Sequence, residues 1–67
     1  MMGIKQCREA AGMYQEDLGR ILGVTRQTVS MWETGKAWPS ANMLPRIARA
    51  LNCRIEDLYG SEKEAAI

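Results

Sequence analysis

The stretch Gln15 to Gly35, QEDLGRILGVTRQTVSMWETG, decides the fold. Leu18, Ile21 and Leu22 recur at helical spacing, and Val29, Trp32 and Glu33 do so again in the second half, so each half offers one stripe for burial. Between them stands Gly23-Val24-Thr25. A glycine can take positive φ where one helix stops, and a threonine just ahead of the next can accept a hydrogen bond from a backbone N–H of its first turn. The pattern predicts two short amphipathic helices joined by a tight bend. Gly19 falls inside the first of them. A mid-helix glycine costs about 1 kcal/mol against alanine, which points to a packing reason, here the second helix crossing over it.

Working outward, Ile4, Cys7, Arg8 and Ala11 share one side of a helix expected from about Gly3 to Ala11, closed by Gly12. Arg8 is unusual on that apolar stripe. A buried guanidinium needs a paired carboxylate, and Glu33 is the candidate; the alternative is two solvated charges. Beyond Gly35, Pro39 holds Trp38 extended. A fourth helix is expected with Ser40 as cap, running through Met43, Leu44, Ile47, Ala48 and Leu51 to a left-handed stop at Asn52. Pro45 predicts an irregular first turn, with regular helix from about Leu44. Ile55, Leu58 and Tyr59 make a short fifth helix closed by Gly60, and the tail SEKEAAI reads as frayed. The expectation is one all-α domain over residues 1–60 followed by a short tail, 61–67.

With 67 residues the chain makes one small domain, whose core is marginal unless well packed, stapled or shared with a partner chain. Two cysteines and no histidine offer neither a zinc site nor a dense disulfide framework, so no metal and no cofactor is expected. Cys7 and Cys53 sit within apolar periodicity and read as small core residues, with a bond between them as the alternative. No apolar run approaches the roughly 18 to 20 residues that a membrane helix needs, and no signal peptide is evident, which suggests a cytoplasmic location. Enzyme chemistry is disfavoured. There is no histidine to act as a base, no glycine-rich phosphate loop, and the acidic residues fall on expected solvent faces or beside an arginine.

The joint spacing of Leu18, Gly19, Leu22, Gly23, Val24, Val29 and Trp32, together with the run WETGKAWP from Trp32 to Pro39, resembles the helix-turn-helix of the Cro/CI-type (XRE, lambda-repressor-like) family. The resemblance covers roughly Ile4 to Leu58. It implies a compact five-helix lambda-repressor-like domain whose recognition helix, about residues 26–33, lies in the DNA major groove. It also supports the Arg8 and Glu33 pairing as a structural ion pair. Where the family usually has a capping threonine this chain has Tyr14, so the second helix is expected to be capped less well or shifted by a residue.

Residue chemistry gives the resemblance content. Arginine can donate two bonds to guanine, glutamine can do the same job with adenine, and threonine or methionine can meet a thymine methyl or the groove wall. Arg26, Gln27, Thr28 and Met31 are therefore the candidate base readers; read alone, RQT is only an exposed polar helix start. Gln15, Ser30, Lys36 and Asn42 are the candidate phosphate contacts, with simple surface solvation as the alternative for Gln15 and Asn42. Glu16 and Asp17 complement the helix dipole and should face away from DNA. The Trp38 ring either covers the core edge or stays partly exposed near the DNA backbone or a partner.

The net charge is only +1. Glu56, Asp57, Glu62 and Glu64 follow the reading half, which leaves Arg20, Arg26 and Lys36 less neutralised than the total suggests, and modest nonspecific affinity follows. The expected function is a sequence-specific, nucleoid-associated transcriptional regulator that binds double-stranded DNA as a homodimer on a palindromic operator, its dimer surface near Ile55, Leu58 and Tyr59. The alternative is an antitoxin-like or other protein-interaction module with secondary DNA binding.

Overall fold

The computed structural model describes residues 1–60; the expected frayed tail lies outside the described residues. Four α-helices follow one another: α1 (Met2–Ala10), α2 (Gln15–Leu22), α3 (Arg26–Thr34) and α4 (Met43–Leu51). A single 3₁₀ helix, Ile55–Tyr59, takes the place of the expected fifth α-helix. Only five residues separate Arg54 from Gly60, and so short a segment commonly adopts the tighter winding. Among the described residues there is no strand. Among the described residues no helix is long and apolar enough to cross a membrane.

The core is drawn from every helix. Ile4, Leu18, Leu22, Val29, Trp32, Ile47, Ala48, Leu51 and Leu58 are all buried, as is the Met1 side chain. The Met1 nitrogen donates to the Trp32 carbonyl near the C-terminal end of α3. Two residues expected on buried stripes are outside. Ile21 is 55% exposed. At 3.6 residues per turn the middle of the Leu18, Gly19 and Leu22 face lies about 100° away from it. Ala11, the C-cap of α1, is exposed together with Ala10.

Two close backbone approaches set how these helices pack. A Cβ on Gly19 would stand 2.7 Å from the Val24 carbonyl oxygen and 3.3 Å from the Thr25 carbonyl carbon. The chain entering α3 therefore rests directly on the α2 backbone. At Gly3, in the first turn of α1, a Cβ would overlap the Asp57 carbonyl oxygen and come within 2.5 Å of the Leu58 carbonyl. The 3₁₀ helix is thus laid against bare α1 backbone.

Local chemistry explains the helix ends. Tyr14 precedes α2 in extended conformation and offers no side-chain cap. Its own N–H is instead accepted by Asp17 Oδ2 at 2.9 Å, which ties the helix start from the other side. Thr25 Oγ1 accepts from the Thr28 N–H at 3.1 Å and so caps α3. Ser40 opens α4 through its backbone rather than its hydroxyl, its carbonyl accepting from Met43 and Leu44 at 2.9 and 3.2 Å. Pro45 is the third residue of α4, where a missing N–H costs no intrahelical bond. Asn52 ends α4 in the left-handed region at φ 55°.

Candidate nucleic-acid interface

A cluster at the junction of α1, α2 and α3 fixes the angle at which α3 leaves the body. Arg8 Nε donates to Glu33 Oε2 at 2.7 Å, and Nη2 to Glu33 Oε1 at 3.2 Å, a two-point pair whose side chains are only 9% and 3% exposed. Arg8 Nη1 donates to the Met13 carbonyl at 2.7 Å, and Gln15 Nε2 donates to Glu33 Oε1 at 3.0 Å. The hydrogen bond to Glu33 holds the Arg8 guanidinium above its ordinary pKa, so the pair keeps its cationic member at any working pH. Among the described residues no buried side-chain nitrogen or oxygen lacks a hydrogen-bond partner. The cluster joins the end of α1, the start of α2 and the end of α3.

Gln15 is therefore half-buried, with one amide N–H used internally and the second hydrogen of the same nitrogen remaining for an external acceptor. Beside it lies an open recess of about 380 Å³ lined by Arg8, Tyr14, Gln15, Glu16 and Arg26. The first turns of α2 and α3 thus face one depression. Glu16 was expected to turn away from this side, yet it stands on the rim. The first two helical positions differ by about 100° in direction, so both flank the opening, and only Asp17 is drawn aside, to the Tyr14 N–H and toward Arg20 at 3.8 Å.

Along α3 the outward residues follow in register. Arg26 and Gln27 are exposed at its first two positions, while Thr28, Ser30 and Met31 are half-buried. Thr28 is partly committed, its hydroxyl lying 3.0 Å from that of Thr25. The Ser30 carbonyl accepts from Thr34 Oγ1 at 3.0 Å, leaving the Ser30 hydroxyl out of that bond. Lys36 is exposed just past Gly35, its backbone N–H donating to the Met31 carbonyl at 3.0 Å. Asn42 is exposed ahead of α4 and makes no side-chain capping bond. The recess thus brings Gln15 and Arg26 together; Lys36 and Asn42 sit at either end of the connection from α3 to α4.

Two contributors escaped the sequence reading. Arg46 of α4 donates through Nη2 to the Leu22 carbonyl at 3.2 Å, holding the last turn of α2 just before the bend. Nothing local to Arg46 could have signalled this, since its acceptor is a distant backbone atom. Tyr14 lines the recess and is 78% exposed, a ring with a hydroxyl donor beside the α2 N-terminus. Its signal was present as an aromatic residue where a small cap is expected.

Comparison with known proteins agrees with this arrangement. A helix-turn-helix family model matches residues 4–58. An uncharacterized HTH-type transcriptional regulator of Archaeoglobus fulgidus is 45% identical over 56 residues, covering 84% of this chain and 80% of that protein. The uncharacterized HTH-type transcriptional regulator YgzD of Bacillus subtilis is 39% identical over 61 residues, covering 91% of this chain and 92% of its own length. Among solved structures, the P22 c2 repressor in complex with a synthetic operator superposes with a TM-score of 0.77 at 30% identity, over 87% of this chain and 91% of that one. With four helices arranged as in that repressor and a family match across nearly its whole described length, the chain belongs to the Cro/CI-type (XRE) family of helix-turn-helix transcriptional regulators.

Proposed function

We propose that the protein regulates transcription by binding a palindromic operator in double-stranded DNA as a homodimer, with the first turns of α3 in the major groove. The observation that carries this reading is the presentation of Arg26 and Gln27. Both are exposed at the start of a helix that is fixed from three sides: by the Thr25 cap, the close approach over Gly19 and the Arg8–Glu33 pair. A rigid, outward helix start with two side chains capable of bidentate bonding suits base-edge recognition.

In this reading Thr28 and Met31 complete the base contacts. Gln15, Ser30, Lys36 and Asn42 hold the phosphates and set register. One helix spans only a few base pairs, so two half-sites about 34 Å apart supply the remaining affinity and specificity. The dimer surface is proposed around Ile55, Tyr59 and Trp38. Ile55 is 40% exposed and Trp38 58% exposed, and the Trp38 and Tyr59 rings lie 6.4 Å apart, tilted by 42°. Leu58, included in the expected surface, is fully buried in its own protomer and so belongs to the core.

Selection of bound fragments from random DNA by the purified protein tests the whole reading. A palindromic consensus with half-sites one helical turn apart is the expected result. Recovery of fragments with no shared sequence would overturn specific recognition, and a single unrepeated half-site would overturn the dimer.

A further inference from the structure

Away from the α3 face, a cleft of about 480 Å³ opens between the C-terminal half of α1 and the end of α4. Its walls carry both cysteines of the chain: Cys7 on one side, Cys53 in the turn after α4 on the other. Both thiols are free and half-buried. Small residues, Ala10, Ala11 and Ala50, share the walls with Met13 and Leu51, and the cleft is open enough to admit a small oxidant. We propose that Cys7 and Cys53 form an oxidisable dithiol, a site of intramolecular disulfide formation that bolts α1 to the α4 exit.

The two thiols are neighbours, not merely residents of one cleft. Burial first, and then the adjoining Cys7 sulfur, push the Cys53 thiol up to about 12. Burial thus disfavours the Cys53 thiolate, and in the proposed sequence Cys7 meets the oxidant first while Cys53 resolves the product. With a peroxide as oxidant the Cys7 thiolate takes the distal oxygen, the O–O bond breaks and a sulfenic acid forms. The Cys53 sulfur then attacks the Cys7 sulfur; an S–S bond forms, the S–O bond breaks, and the Cys53 proton leaves with the departing hydroxide as water. Overall two thiols give up two electrons and one peroxide becomes two waters. The resulting cross-link closes a loop across nearly the whole domain, the kind that most restricts an unfolded chain.

Treatment of the full chain with a small excess of hydrogen peroxide, quenched with an alkylating agent, reads this out. The expected product is a monomer 2 Da lighter with neither thiol alkylated, a tryptic fragment joining Cys7 to Cys53, and a higher melting temperature that dithiothreitol returns to its starting value. Cys53→Ser should instead let Cys7 accumulate as a sulfenic acid trappable by dimedone, while Cys7→Ser should leave Cys53 slow to react. Circular dichroism confirms that each variant is folded. The proposal is overturned if both thiols remain alkylatable, if oxygen is added without cross-linking, if the disulfide joins two chains, or if the cross-linked monomer melts lower than the reduced one.

Discussion

Arg26 and Gln27 stand side by side on α3, exposed and each able to meet a base edge with two hydrogen bonds. Replacing either by alanine should cost about 1 to 3 kcal/mol on the selected operator and little on random DNA, measured by titration of labelled duplexes. Equal losses on both duplexes would reduce them to phosphate contacts. Arg8 works differently, because removing it strands a Glu33 carboxylate that is only 3% exposed. Arg8→Ala should cost about 3 kcal/mol in urea unfolding, against a total of about 3 to 10 kcal/mol for a chain this size. A loss below 1 kcal/mol would mean the pair is solvated in practice. Glu16 and Ile21 show where sequence reading stopped at this scale. Each lies at a boundary of a helical face, where a shift of one position in the assumed centre of the stripe reverses inside and outside.

Among the elements, the α2–α3 bend was legible because its determinants are neighbours in sequence. Gly19, Gly23 and Thr25 lie within seven residues, and the cap and crossing follow from the Thr25 hydroxyl and from the lack of a side chain at the two glycines. The approach of α1 to the 3₁₀ helix was not legible. A glycine in a first helical turn is unremarkable by itself, and Gly3 meets residues more than fifty positions away. Gly3→Ala gains about 1 kcal/mol of helix propensity, but its methyl would collide with backbone carbonyls rather than a movable side chain, a cost of about 3 kcal/mol. The net loss of about 2 kcal/mol should lower the melting temperature by about 10 °C in a calorimetric scan. An unchanged melting temperature would show that the two elements can separate freely. The type of the last element also escaped, since a five-residue segment carries too few periods to distinguish α from 3₁₀ winding.

For the whole molecule, a net charge of +1 leaves long-range attraction to DNA weak, so individual cations matter more to the salt response. Lys36→Ala should lower the slope of log affinity against log salt by about 1 unit for each protomer bound. An unchanged slope would remove Lys36 from the phosphate contacts. The overall architecture was readable because nearly every helix carries its own apolar stripe and stop residue. Tertiary ties such as Arg46 to the Leu22 carbonyl were not, because no periodicity marks a side chain that reaches another helix's backbone.

The contact between α1 and the last turn has one more consequence. A Cβ on Gly60 would lie 2.9 Å from the Gly3 nitrogen, so the described chain closes on itself almost as a ring. A linker of a few residues from Gly60 to Met1, with new ends opened at the exposed Trp38 so that Ser40 stays with α4, would give a circular permutant with every packed helix uncut. In such a rearranged chain the α2–α3 bend would fall in the C-terminal half, and α4 would be translated first.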